Sequence, residues 1–242
     1  MRSFRIKLLL MTVLLCLAFA SVAVAIKPLV FQVEKTKEIR REIKTFQVNV
    51  EQSIKKAHQQ ATTLPYGQLY EEIQYYNQCL FSSEQSALNS KSAYEVSQFT
   101  LTDYGVPDET FGIIQIPKMG VEMPLYLGAS NENMANGAAV LSQTSIPIGG
   151  INTNAVIAGH RGYGGYSYFR YIEVLEEGDE VIITNLWKTL TYKVSEIRIV
   201  TPDDVDAILI QPGKDMVTLL TCHPYASGGK YRYLVFCERV TD

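Results

Sequence analysis

Val217-Thr218-Leu219-Leu220-Thr221-Cys222, then Pro224-Tyr225-Ala226-Ser227-Gly228-Gly229-Lys230, then Arg232-Tyr233-Leu234-Val235-Phe236-Cys237 is the stretch on which the fold turns. The outer segments are rich in β-branched and aromatic residues, and the middle one is turn chemistry. The spacing predicts a hairpin with a long loop. A hairpin sets the last residue of one strand near the first of its partner, so the Cys222 thiol and the Arg232 guanidinium should meet at the loop mouth. Upstream, His160 ends a third apolar run, Ala155-Val156-Ile157-Ala158-Gly159-His160. Thiol, imidazole and guanidinium at strand ends are the parts of a cysteine acyl-transfer site.

Working outward, short β-rich runs fill the second half of the chain: 112–117, 124–127, 136–141, 155–158, 179–184, 189–200, 217–222 and 232–240. Glycine, proline or asparagine separates them. Many short strands in ~130 residues predict a mainly β fold, a closed barrel or a sandwich. Residues 30–60 instead carry a helical period, with Ile39, Ile43, Phe46, Val50, Ile54 and Ala57 at steps of three and four. Thr62 to Gly67 should break that helix. A second helix is expected from Gln68 to about Leu80, with Leu69, Ile73, Tyr76 and Leu80 on one face. Residues 82–110 are polar and weakly periodic, and read as a loop region.

Leu8 to Ile26 holds no charged residue and is just long enough to cross a hydrocarbon core. Arg2, Arg5 and Lys7 precede it, which places the N-terminus in the cytoplasm and the rest outside. Ala23-Val24-Ala25 resembles a signal-peptidase site, but the apolar run exceeds the ~7–15 residues of a signal core. The expected organisation is a cytoplasmic tail (1–7), a transmembrane anchor (8–26), a helical lead-in and connector (27–110) and a β-barrel catalytic domain (111–242). The catalytic part would then be extracellular on a single-pass membrane protein.

The net charge of −3, without a dense basic cluster, gives no footprint for nucleic acid. No metal-ligand spacing or phosphate-binding glycine loop appears, so neither metal nor cofactor is expected. Of four cysteines, Cys16 lies in the anchor and Cys79, Cys222 and Cys237 remain. An odd number leaves either one pair and a free thiol or three free thiols. Cys222 has the best context for reactivity, since a nucleophilic thiol needs cationic neighbours.

Three histidines are present. His58 falls on the solvated side of the first helix. His223 follows Cys222 directly, and consecutive strand residues point to opposite faces. His160, between Gly159 and Arg161-Gly162, is the better proton carrier. Arginine stays protonated and serves to hold a carbonyl or oxyanion. Arg161 and Arg170 compete for that task, and Arg232 wins on topology. Arg239 lies roughly 23 Å along the same strand.

These residues resemble the sortases, Gram-positive surface transpeptidases. Thr218-Leu219-Leu220-Thr221-Cys222 matches their T-L-x-T-C motif, Gly159-His160-Arg161-Gly162 their histidine segment, and Arg232 their arginine. Ser145-Ile146-Pro147-Ile148-Gly149-Gly150 and Thr221-Cys222-His223-Pro224-Tyr225 are similar to segments of class C, the pilin polymerases. Residues 82–110 lack the Asp-Pro-aromatic lid common in class C, and no apolar tail precedes Asp242.

The resemblance implies a sortase-type barrel of about eight strands over Phe111 to Val240. It implies His160, Cys222 and Arg232 as catalytic residues, and Thr221 with Arg232 on the substrate or oxyanion side. The substrates would be pilins or surface proteins with a C-terminal Leu-Pro-x-Thr-Gly-like signal. The acceptor would be a pilin lysine or, in a housekeeping enzyme, a cell-wall precursor amine. Rival readings are a secreted cysteine peptidase and a membrane-anchored structural or adhesion module.

Overall fold

The computed structural model describes residues 2–59, 64–83, 85–89, 94–163 and 166–240. Eight strands close into a barrel: β1 (Thr110–Ile116), β2 (Val121–Leu127), β3 (Ala138–Val140), β4 (Thr153–Ala158), β5 (Glu180–Asn185), β6 (Thr189–Val200), β7 (Asp215–His223) and β8 (Tyr231–Arg239). Their order around the barrel is β1-β2-β3-β4-β7-β8-β6-β5. Closure leaves no free sheet edge. The pairs β2–β3 and β4–β7 are parallel and the rest antiparallel. Each expected β run has its strand, displaced by a residue or a few. The third shortens to Ala138–Val140 because Asn136 ends a short helix, Asn131–Asn136, that the sequence reading missed. Ser130 caps it, its hydroxyl accepting from the Asn133 amide.

Strand alternation divides the hydrophobic residues between two cores. Val217, Leu219, Tyr233, Val235 and Cys237 point into the barrel. Val156, Ala158, Leu234 and Phe236 point outward, beneath Leu88 and Ile208. The outer cluster matters for function because Cys222 and Arg232 share its face, two residues beyond Leu220 and before Leu234.

Helix α1 runs unbroken from Arg2 to Gln59, with Pro28 inside it. The expected anchor and the expected first helix are therefore one rod. Its first half is long and apolar enough to cross a membrane. Residues 62–63 of the expected break lie outside the described residues. Ile39, Ile43, Phe46 and Ala57 are buried as their spacing requires, while Ile54 is exposed. Helix α2 (Gly67–Ser82) buries Leu69, Ile73 and Leu80, and also Asn77. The Asn77 amide both donates to the Ile146 carbonyl at 3.0 Å and accepts from the Ile146 N–H at 2.9 Å. A buried amide satisfied on both ends fixes α2 against the barrel. Residues 82–110 contain short 3-10 turns at Ser86–Asn89 and Leu101–Tyr104.

Glu42 is a half-buried polar element of the α1–barrel contact. Tyr126 donates a hydrogen bond to its carboxylate, and Thr110 donates at 3.4 Å. Burial nevertheless pushes its pKa above the ordinary carboxylate value. A carboxyl with a raised folded pKa contributes most while protonated, and loses that contribution as pH rises through the folded value. Glu42→Gln keeps an acceptor for Tyr126 and removes the buried charge. The variant is expected to melt about 2 °C above the parent at pH 7.5, with the difference closing near pH 4. Calorimetry at the two pH values checks the sign.

Candidate active site

Cys222 and Arg232 are direct cross-strand partners on β7 and β8. The loop between these strands spans residues 224–230, as expected. Arg232 Nη1 lies 3.9 Å from Cys222 Sγ, and donates to the carbonyls of Gly229 at 2.8 Å and Tyr231 at 3.2 Å. The guanidinium is thus held by loop backbone beside an exposed thiol. Gly229, at φ +81°, passes so close that a Cβ there would stand 3.1 Å from Arg232 Nη1 and 3.2 Å from Cys222 Sγ. Only glycine suits both that backbone conformation and that approach.

His160 lies two residues past the end of the neighbouring strand, β4. The parallel β4–β7 register ends at Ala158↔Leu220. It is extended by the Gly159 N–H, which donates to the Leu220 carbonyl at 3.1 Å, and by the Thr221 hydroxyl, which donates to the Gly159 carbonyl at 2.7 Å. Counting on by one residue sets His160 level with Cys222, one strand spacing of about 5 Å away at the main chain. Gly159 has no side chain because Phe169 fills the space, with ring atoms 2.5 Å from where a Cβ would be. The Phe169 N–H donates to the His160 carbonyl at 3.0 Å. The imidazole stacks on Tyr163 at 4.6 Å between centroids and meets the edge of Tyr168 at 6.0 Å. Burial among these rings lowers its pKa, so the neutral imidazole dominates at neutral pH.

The remaining residues singled out in the sequence are placed elsewhere. The Thr221 side chain is buried on the face away from Cys222, with its hydroxyl committed to Gly159. Alternation turns the hydroxyl inward, where it fastens β4 to β7, so Thr221 faces the substrate or oxyanion side through its backbone alone. His223 lies within β7, so alternation holds there too, and its Nδ1 sits 3.2 Å from Glu173. Arg161 is buried and paired with Glu173 at 2.9 Å. Arg170 stacks on Tyr225 at 4.6 Å. Arg239 is at the far end of β8, 3.9 Å from Asp215. His58 is exposed on α1. Tyr163, Gly229 and Glu173 were not foreseen. Gly229 had a signal, a glycine pair just before a strand, whereas the others depend on long-range approach.

A groove of about 360 Å³ runs along the outer face and takes in Arg232 at one side. Leu220, Leu234, Val205 and Ile208 give it an apolar floor, and Pro202, Asp203 and Asp204 form part of its rim. Tyr94, from the connector, lines the same groove, and its hydroxyl donates to the Leu88 carbonyl at 2.7 Å. The connector therefore walls the groove, while Cys222 stays exposed. Residues 84 and 90–93 of that segment lie outside the described residues.

An exposed thiol beside a fixed guanidinium, with an imidazole on the next strand and an apolar groove alongside, can carry out nucleophilic acyl transfer on an extended peptide. The sequence matches the sortase domain family over residues 114–240. The chain belongs to the sortase family. It is 30% identical over 132 residues to sortase D of Bacillus subtilis (strain 168), covering 54% of this chain and 64% of that protein. The chain spans less than two thirds of the length of the first curated relatives it matches. Among solved structures it superposes on sortase C1 of GBS pilus island 1 with a TM-score of 0.67 at 26% identity, covering 81% of this chain and 98% of that one. It superposes on Clostridium perfringens sortase C with the C-terminal cell wall sorting motif with a TM-score of 0.61 at 35% identity, covering 73% and 90%. The resemblance is to class C sortases.

Proposed function

We propose that this protein is a cysteine transpeptidase that cleaves a Leu-Pro-x-Thr-Gly-like sorting signal between Thr and Gly and passes the acyl group to an amine, a pilin lysine in the reading the class C neighbours favour. The observation that carries it is the Cys222–Arg232 pair, exposed at the side of an apolar groove. The signal lies in the groove with its threonine carbonyl at Cys222. The thiol gives its proton to the neutral imidazole of His160, and sulfur bonds to the carbonyl carbon. Arg232 holds the oxyanion that forms. The C–N bond breaks as His160 returns the proton to the departing glycine amine, leaving a thioester on Cys222. The acceptor amine then attacks the thioester, the C–S bond breaks, and the thiol is regenerated. Helix α1 crosses the membrane once, with the barrel outside.

Mass spectrometry of the full chain mixed with a sorting-signal peptide tests this. The expected result is an adduct on Cys222 with the mass of the peptide up to its threonine, resolved by added amine into a ligated product. Hydrolysis unaffected by the amine would point to a peptidase. No adduct and no cleavage would point to a structural module. A cell-wall precursor amine outcompeting a lysine peptide would assign wall anchoring in place of pilus assembly.

Arg232→Lys measures the guanidinium directly. Nη1 of Arg232 donates to the loop carbonyls while facing the sulfur, and the planar guanidinium carries further nitrogens that can hold an oxyanion, which a lysine ammonium does not. Turnover is expected to fall by about 10²-fold or more, the scale of losing an oxyanion donor. Near-normal turnover would remove Arg232 from the chemistry.

A further inference from the structure

Each of the three residues proposed for the chemistry is followed by one that takes part in a second cluster. Arg161 follows His160, His223 follows Cys222, and Tyr233 follows Arg232. On β7 and β8 alternation sends the second residue to the opposite side of the sheet, so the cluster lies behind the site. The Arg161 guanidinium sits over the Tyr233 ring at 5.6 Å, and the His223 ring packs on Tyr233 at 5.4 Å.

One carboxylate oxygen joins the group. Glu173 Oε1 is 2.9 Å from Arg161 Nη2 and 3.2 Å from His223 Nδ1. Glu173 comes from a 3-10 turn, Ile172–Val174, between β4 and β5. The Arg161 side chain is only 5% exposed, and its Nε donates to the Arg170 carbonyl at 3.1 Å. Arg161 Nη1 and His223 Nδ1 are buried without an aligned hydrogen bond among the described residues. Without Glu173, a buried guanidinium would keep no countercharge among the described residues, an arrangement that drives local rearrangement. The residue that would move is bonded to His160, and its partner in the cluster is bonded to Cys222.

We infer that Glu173 is a positioning residue: by holding Arg161 and His223 from behind, it sets His160 against Cys222. The inference rests on the transpeptidase reading for its kinetic consequence but not for its structural one. The backbone bonds between β4 and β7 fix the strands, and the carboxylate fixes what lies past their ends. Misplacing a reacting group slows the chemical step without weakening substrate binding, which takes place in the groove on the other face.

The test uses the full chain in detergent, labelled with ¹⁵N-histidine, which gives three imidazoles to follow: His58, His160 and His223. Glu173→Gln is nearly isosteric and loses only the charge. The expected spectrum has the His160 and His223 ring signals moved and the His58 signal unchanged. With a sorting-signal peptide, kcat for acylation is expected to fall about tenfold with KM within about twofold. His223→Ala alone is expected to cost about threefold, and the double variant no more than Glu173→Gln, because both act through one carboxylate. A His160 signal unmoved in Glu173→Gln overturns the inference, as does a kcat within twofold of the parent or a pair of losses that multiply. If the parent forms no acyl-enzyme, the transpeptidase reading fails, and the histidine spectrum still decides the role of Glu173. Should Glu173→Gln fail to fold, His223→Gln breaks one arm only. It must then move the His160 signal for the inference to stand.

Discussion

Cys222→Ala is expected to yield no thioester adduct and no ligated product, a fall of about 10⁴-fold or more to background. The substitution removes one exposed sulfur that fills no core space. Its unfolding midpoint should therefore stay within about 2 °C of the parent, the scale of ordinary surface changes. The other cysteines supply the control. Cys79 is exposed on α2, away from the β7–β8 loop, and Cys79→Ala should turn over normally. Cys237 points into the barrel with no exposed surface, and burial raises its pKa so far that it stays a thiol. Cys237→Ala should lower the melting temperature through a small cavity and keep its activity. Ligation persisting in Cys222→Ala, measured on purified full chain with peptide and amine, would overturn the mechanism.

His160→Ala carries the next largest effect. In the proposed mechanism the imidazole both takes the thiol proton and returns it to the leaving amine, and a positioned acid–base group is worth about 10²–10⁴-fold. His223→Ala should remain within about fivefold of the parent, because its ring faces Glu173 and not the sulfur. Rates in the reverse order would assign the proton carrier to His223 and contradict the alternation of β7. Burial lowers the pKa of His160, so its environment favours the neutral ring that the proposed mechanism needs to accept the thiol proton. Tyr163 and Tyr168 make that environment, and they were invisible to a motif reading of Gly159-His160-Arg161-Gly162.

The β7–β8 hairpin was legible because its information is local. Strand alternation, a seven-residue turn segment and a thiol opposite a guanidinium are all written within residues 217–237. The barrel strands were legible for the same reason, and so was the buried face of α1 apart from Ile54. Three things were not. The continuity of α1 through Pro28 could not be read, since proline is ordinarily a reason to end a helix. The Asn131–Asn136 helix is too short to show a period. Glu173 meets Arg161 and His223 only because β4 and β7 lie side by side in the closed barrel, a fact of topology that no window along the chain contains.

The unbroken α1 has a mechanical consequence. Residues 27–34, exposed and carrying Leu29, Val30, Phe31 and Val33, are about 12 Å of helix between Ile26 and Lys35. Lys35 already reaches the barrel side, its ammonium donating to Asn136 at 2.8 Å. In the proposed topology, with the first half of α1 in the bilayer, the helix runs on to the barrel without a break, and the compass bearing of the cleft is set by helix phase. One residue added to this neck would swing Cys222 about 100° around the helix axis and raise it about 1.5 Å, whereas seven added residues would return it to nearly its original bearing about 10 Å higher. Neck length in this protein is therefore an angular coordinate before it is a distance.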